Sequence, residues 1–177
     1  HQGAQLSFAA CLAVADILAA LAPEARVSLK WPNDALLNGR KVAGVLLESS
    51  GRGSRLDWLA IGIGLNLAAH PPRAPGAAIA PTSLVAEGAA PPTPQAALER
   101  LAARLDHWQR LHARAGFEPL RAAWLARASG LGQRIQARTP HTTLSGTYED
   151  VDADGALVLH TAQGRQRIPA ADLFFPD

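Results

Sequence analysis

Asn38-Gly39 lies between two short apolar runs, and this dipeptide constrains the fold more than any other feature of the chain. A two-residue type I′ turn needs a positive φ at both central residues, which asparagine and glycine tolerate best. Apolar and polar residues alternate upstream of the pair, and an apolar run follows it. The pattern therefore predicts an antiparallel hairpin within a set of strands at 27–31, 35–37, 40–48 and 56–67, with a loop at 49–54.

Helical spacing of apolar residues predicts three helices around these strands. The first begins near Leu6 and ends before Pro23, and because Ser7 and Asp16 interrupt it, a buried or amphipathic helix is favoured over a membrane span. Two more are predicted at 95–115 and 118–128. Between them, Ala68–Pro94 contains seven prolines, so we expect a long, weakly structured connection.

Gly130-Leu131-Gly132 follows the last predicted helix and indicates a domain boundary. The rest of the chain has four or five short β segments, too small a core for an independent fold of ordinary stability. They lie near 134–138, 144–151, 156–160, 165–168 and 173–175. We therefore predict a main domain at 1–130 and a small β-barrel at 131–177 that leans on it.

Composition excludes some classes of function and leaves the site to be found from motifs. Seventeen basic and fifteen acidic residues give a net charge of +2, and the scattered basic residues do not support a DNA-binding surface. A single cysteine, Cys11, favours a reducing cytoplasm. The chain has no methionine and begins at His1, so we expect that an upstream part of the natural protein is missing.

The two lysines of the chain, Lys30 and Lys41, lie within twelve residues of each other, whereas every other basic residue is arginine. An ammonium is a compact point charge, unlike the planar guanidinium fork. Pro32 interrupts the strand between them, which leaves Asn33 and Asp34 free to face a cavity. Small residues on the next two strands would let a ligand approach the backbone, with an amide just beyond them: Gly44, Gly62, Gly64 and Asn66.

The run KWPNDALLNGRKVAGVLLES resembles the signature of the biotin protein ligases, and IGIGLNL resembles the glycine–asparagine strand that follows it in that family. Pro81–Leu84 is similar to a short element of the family's adenylate-side loop. The resemblance extends over essentially the whole chain. It implies an α+β fold with a class II synthetase-like mixed sheet, packed helices and a small C-terminal SH3-like β-barrel.

The resemblance also implies an activity. Biotin and Mg-ATP would give biotinyl-5′-AMP and pyrophosphate, and a lysine of a biotin carboxyl carrier protein, an acetyl-CoA carboxylase subunit, would then attack the adenylate. Lys41 would be the catalytic lysine that contacts the biotin carboxylate. The loop at 71–85 would cover adenine. The other implied contacts are Gly44, Leu46, Gly62 and Gly64 for biotin, Lys30, Asn33, Asp34 and Asn66 for ATP and the adenylate, and Asp34 on the Mg²⁺ side.

One departure from the family keeps alternatives open. The arginine- and glycine-rich loop that surrounds the biotin carboxylate in the family lies upstream of the first helix, and this chain does not contain it. We therefore expect the chain by itself to be a poor ligase. The alternatives are a non-catalytic or regulatory fragment and a lipoate or octanoyl transferase. The sequence leaves open whether the protein forms a homodimer.

Overall fold

The computed structural model describes residues 2–52 and 55–175, which form two antiparallel sheets and three α-helices. The first part of the chain supplies α1 (Gln2–Leu21), β1 (Val27–Lys30), β2 (Asp34–Leu37), β3 (Arg40–Arg52) and β4 (Arg55–Leu65). A long connection contains one short 3₁₀ turn, Val85–Glu87. The remaining elements are α2 (Pro94–Ala115), α3 (Glu118–Leu125), β5 (Arg134–Arg138), β6 (Thr143–Val151), β7 (Leu157–Thr161), β8 (Gly164–Ile168) and β9 (Asp172–Phe174).

The first sheet is a four-stranded meander in the order β1-β2-β3-β4. Asn38 and Gly39 have φ values of 51° and 78° in the turn between β2 and β3, which confirms the predicted hairpin. Among the described residues all strand pairs of this sheet are antiparallel, and parallel contacts occur there only as isolated bridges of Leu29 to Ala128 and Lys41 to Pro81. The α+β prediction is confirmed, and the expected mixed pairing is limited to these two bridges.

The hairpin of β3 and β4 is longer than the sequence predicts. Residues 49–52, expected in a loop, continue β3 and pair with β4 as far as Arg55; residues 53 and 54 of that loop lie outside the described residues. The third helix is shorter than predicted and ends at Leu125. Beyond it, the Leu29 amide of β1 donates to the Arg127 carbonyl, and the Ser129 amide donates to the Leu29 carbonyl. These bonds to the strand take the place of the hydrogen bonds that would continue the helix.

The core lies between α1 and the inner face of the first sheet. Residues 8–15 of α1 are all buried. By length and composition, Gly3–Leu21 passes as a membrane-spanning helix, the one such helix within the described ranges, but the fold packs it against β3 and the other helices. Phe8 of α1 contacts the rings of Phe117 and Trp124 at centroid distances of 5.0 and 5.2 Å.

The second sheet, in the order β8-β7-β6-β5-β9, forms the small β domain. Its turn between β6 and β7 docks on the first part of the chain. There, the Gly155 carbonyl accepts a hydrogen bond of 3.0 Å from the Trp31 indole, and the Ala153 carbonyl accepts one of 3.0 Å from Gln5. Arg121 of α3 donates to the Asp150 carboxylate at 2.5 Å. Because Trp31 follows directly on Lys30, this docking holds the β domain beside the polar end of the first sheet.

Candidate active site

The motif residues form one row across the four strands of the first sheet. Lys30 pairs with Asp34, Asp34 with Gly44, and Gly44 with Gly64. Directly opposed residues on neighbouring strands project from the same face. The row therefore presents one ammonium, one carboxylate and two glycines side by side on the outer face of the sheet.

A β-bulge places Lys41 on the same face as this row. Ala35 pairs with Ala43 and Leu36 with Lys41, so Val42 has no partner in the ladder. An extra residue shifts the alternation of side chains by one. Lys41 and Gly44, three residues apart, consequently face the same side, and a Cβ placed on Gly44 would lie 3.3 Å from Lys41 Cε.

Asp34 lies between the two lysines of the chain. Its Oδ1 is 2.5 Å from Lys41 Nζ, and its Oδ2 is 4.0 Å from Lys30 Nζ. The Lys41 side chain is 43% exposed, whereas those of Asp34 and Lys30 are only 14% and 8% exposed. Burial lowers the pKa of Lys30 and the neighbouring Lys41 lowers it further, while Asp34 and Asp172 oppose the shift. Two ammonium groups thus lie beside two carboxylates, and the Lys41 ammonium is the one accessible to an anionic ligand.

A pocket of about 210 Å³ opens over this cluster. It is lined by Lys30, Asp34 and Lys41, by the segment 76–79, and by Asp172 and Phe174 of β9. Arg138 lies over the Phe174 ring at 4.2 Å from its centroid. Asp172 and Phe174 were missed by the sequence reasoning, because nothing in a short C-terminal strand indicates that it faces a motif some 140 residues upstream.

Both predicted asparagines serve the scaffold in this structure. The Asn33 amide donates to the Val45 carbonyl at 2.6 Å, and the Asn66 amide donates to the Thr82 carbonyl at 2.8 Å. Asn33 thus ties the break between β1 and β2 to β3. Asn66 ties the end of β4 to the connection at Thr82, the segment that also bridges to Lys41.

The predicted biotin contacts share a face but do not line the pocket. Leu46 pairs with Gly62 and Gly44 with Gly64, which places all four on the outer side of β3 and β4. Leu46 is 60% exposed, and no heavy atom of the described residues lies within 4 Å of a Cβ built on Gly64. This apolar strip runs from the lysine cluster along β3 and β4, and it leaves open space above Gly64.

The accessible ammonium of Lys41 makes this site suited to binding an anion. Within residues 2–52 and 55–175, no group of three or more histidine, cysteine or acidic side chains is arranged to hold a metal by itself. Cys11 is buried, and burial raises the pKa of its thiol, so it stays protonated. The ammonium groups at the end of an apolar strip instead suit a ligand with an anionic head and an apolar body.

Sequence comparisons agree with this architecture. The profile of the biotin/lipoate A/B protein ligase family matches residues 1–126, and that of the biotin protein ligase C-terminal domain matches residues 130–175. A biotin–[acetyl-CoA-carboxylase] ligase of Paracoccus denitrificans is 49% identical over 176 residues, covering 97% of this chain and 73% of that enzyme. The bifunctional ligase/repressor BirA of Bacillus subtilis is 30% identical over 149 residues, covering 84% of this chain and 46% of that protein.

A solved structure has the same fold. The biotin protein ligase of Aquifex aeolicus in complex with biotin and ATP superimposes with a TM-score of 0.76 at 20% identity, covering 96% of this chain and 70% of that one. The second sheet corresponds to the C-terminal SH3-like domain of such enzymes. From the profile matches and the Paracoccus relative, the chain belongs to the biotin/lipoate A/B protein ligase family and is a biotin protein ligase by sequence and fold.

Proposed function

We propose that this protein activates biotin with ATP to biotinyl-5′-AMP and transfers the biotinyl group to a lysine of a biotin carboxyl carrier protein in the cytoplasm. The observation that carries the proposal is the cluster of Lys41, Asp34 and Lys30 at the mouth of an apolar strip. The identity of 49% to a biotin–[acetyl-CoA-carboxylase] ligase supports the choice of biotin.

The accessible ammonium of Lys41 is the group that would act on the reacting atoms. In the first step a biotin carboxylate oxygen attacks the α-phosphorus of ATP, an O–P bond forms, and pyrophosphate leaves with the electrons of the broken bond. Lys41 neutralises charge that accumulates on the carboxylate and phosphate oxygens. In the second step the acceptor amine attacks the acyl carbon, loses a proton, and AMP leaves.

The remaining residues would bind and orient the two substrates. Lys30, buried beside Asp34, contributes fixed positive charge toward the phosphates. Gly44, Leu46, Gly62 and Gly64 supply the apolar strip on which the bicyclic ring and the valeryl chain would lie. Asn33 and Asn66 shape the phosphate side through their backbone partners, and the segment 71–85 would cover the adenine.

A magnesium ion bound to the nucleotide fits this pocket. Mg²⁺ in nucleotide sites usually takes one or two carboxylates together with substrate phosphates, and Asp34 and Asp172 both line the pocket. When bound, the ion would neutralise the triphosphate. We further propose that residues 1–130 are the catalytic domain and 131–177 the β domain, with Asp172 and Phe174 forming its share of the nucleotide wall.

Calorimetric titration of the chain tests the proposal. We expect it to bind biotin, and to bind a non-hydrolysable biotinyl-5′-AMP analogue more tightly because that ligand also reaches the lysine cluster. Lys41→Ala should weaken the analogue more than biotin. Tighter binding of lipoic acid or octanoate than of biotin would instead assign the chain to the lipoate branch, and binding of none of these ligands would contradict the proposal.

A further inference from the structure

Glu87, at the end of the 3₁₀ turn, is a buried carboxylate for which the proposed reaction has no direct use. Its side chain is 4% exposed. Oε1 lies 2.6 Å from Arg40 Nη2 and accepts a hydrogen bond of 2.5 Å from the Thr82 hydroxyl, and Oε2 accepts one of 2.8 Å from the Asn38 amide. Burying a charge is costly unless every oxygen is matched, so three donors at one carboxylate indicate a specific role.

The three partners of Glu87 belong to two separate parts of the chain. Asn38 lies in the turn between β2 and β3, and Arg40, the first residue of β3, directly precedes Lys41. Thr82 lies in the long connection, beyond the segment 76–79 that walls the pocket. Glu87 therefore joins the hairpin that carries Lys41 to the base of the loop that covers it.

The backbone at Thr82 reaches two residues of the site directly. The Thr82 amide donates to the Lys41 carbonyl at 2.8 Å, and the Lys41 amide donates to the Ala80 carbonyl at 2.9 Å. The Thr82 carbonyl accepts from the Asn66 side chain. We call Glu87 and its three partners, Asn38, Arg40 and Thr82, the Glu87 clamp. Thr82 belongs both to this clamp and to the backbone hydrogen bonds that fix Lys41.

We infer that Glu87 is a positioning residue for the reaction proposed above. Its carboxylate holds the base of the loop, residues 80–84, against the Lys41 strand, so that the segment 71–79 closes over the nucleotide half of the adenylate. Biotin alone binds along the strip on β3 and β4 and does not need this closure. The clamp therefore raises affinity for the adenylate selectively.

Glu87→Gln is the informative variant, because it preserves size while changing the donor and acceptor pattern. Each partner of Glu87 is a donor, and the amide of glutamine turns one of its two positions into a donor that faces another donor. Glu24→Gln is the matched control, since Glu24 is exposed and borders the same surface hollow as Asn38 and Glu87. Thr82→Val removes the other half of one contact, and Thr82→Ser keeps the hydroxyl.

The experiment combines calorimetry with hydrogen exchange on the full chain. Losing one charged hydrogen bond from a closed state corresponds to about tenfold in affinity. We expect Glu87→Gln and Thr82→Val to weaken the biotinyl-5′-AMP analogue about tenfold while biotin affinity stays within about twofold. We also expect faster exchange of the Lys41 and Thr82 amides. Thr82→Ser and Glu24→Gln should behave like the unaltered chain.

Two results would overturn the inference. Unchanged analogue affinity and unchanged amide exchange in Glu87→Gln would mean that the carboxylate holds nothing relevant to the loop. Equal weakening of both ligands would mean that Glu87 supports general stability only. If the unaltered chain binds neither ligand, the proposed function fails and the reaction role of Glu87 fails with it, and amide exchange then reports separately whether the clamp exists.

Discussion

Gly44 lies directly opposite Asp34 in the ladder between β2 and β3. A Cβ on Gly44 would come within 3.4 Å of Lys41 Nζ and 3.5 Å of Asp34 Oδ1. The absence of a side chain at Gly44 therefore leaves room for the ion pair between Lys41 and Asp34. The sequence-based interpretation considered only the room that the glycine leaves for a ligand, and that role stays a prediction.

Gly44→Ala and Gly64→Ala form a matched pair in one row of the sheet. An alanine at Gly44 must push against Lys41, whereas one at Gly64 meets no protein atom within 4 Å. We expect both variants to fold with stability within about 1 kcal/mol of the unaltered chain. Both should bind biotin or its adenylate less tightly, the first by displacing Lys41 and the second by occupying ligand space.

Double variants with Lys41→Ala separate these two mechanisms in calorimetric titrations with the adenylate analogue. Because Gly44→Ala acts through Lys41, it should add little to Lys41→Ala, while Gly64→Ala should add its full effect. Full additivity of Gly44→Ala would show that the glycine contacts the ligand directly.

Lys41→Ala should reduce biotinyl-5′-AMP formation by about 10²–10³-fold, the usual effect of removing a group that stabilises charge in the transition state. The pair with Asp34 is partly exposed on the lysine side, so stability should fall by at most about 1 kcal/mol. Pyrophosphate release measures the rate of adenylate formation, and thermal unfolding measures the change in stability. Lys41→Arg keeps the charge but replaces a compact point charge with a planar guanidinium, so only partial recovery is expected. Unaltered turnover in Lys41→Ala would contradict the assigned role.

Lys30→Met should make the protein more stable at neutral pH while weakening binding of the adenylate analogue. The pKa of Lys30 is below its ordinary value of 10.5 because the side chain is buried. Between the lowered pKa and 10.5 the unfolded chain binds more protons, so stability rises with pH across that window. Below the window the full cost of the buried charge is present, and methionine removes it.

Denaturant unfolding at several pH values tests whether Lys30→Met raises the free energy of unfolding as predicted. The advantage of Lys30→Met should be largest at neutral pH and should shrink as the pH approaches 10.5. Arg26→Met, which removes an exposed cation just before β1, should have no such pH dependence. A Lys30→Met variant that is less stable than the unaltered chain at pH 7 would mean that the pairing with Asp34 outweighs burial.

The local pattern of the sequence was sufficient for the hairpin turn and for the strands of the β domain. Asn38-Gly39 determines its own turn through positive φ, and the five short strands of the β domain appear close to their predicted positions. Residues 49–52 were misassigned because serine and glycine favour loops locally, whereas pairing with β4 extends the strand. Tertiary pairing of this kind has no signal in a single sequence.

The same limit applies to the site. Lys30, Asp34 and Lys41 come together as predicted, since they lie on three consecutive strands of one local meander. Asp172 lies beside them only because the β domain docks there, which periodicity cannot reveal. Glu87 is hidden in a proline-rich connection that composition marks as weakly structured, although its side chain has three polar partners that hold it in place.

Docking of the β domain can be tested at Gly155, in the turn between β6 and β7. Its φ is 89°, and a Cβ there would lie 2.9 Å from a ring carbon of Phe8. Gly164, at the start of β8, has a φ of 99°, and no heavy atom of the described residues lies within 4 Å of the same position. Alanine at either site carries backbone strain of about 1–3 kcal/mol, but only at Gly155 must it also displace a core ring on α1.

We therefore expect Gly155→Ala to lower the free energy of unfolding by about 1–3 kcal/mol more than Gly164→Ala does. The Trp31 indole also loses its fixed partner when the turn moves, and Lys30 is its neighbour in the chain. Binding of the adenylate analogue should consequently weaken in Gly155→Ala and stay unchanged in Gly164→Ala. Equal stability losses with equal affinities would mean that the turn merely rests on α1 and that the β domain does not help to hold the lysine cluster in place.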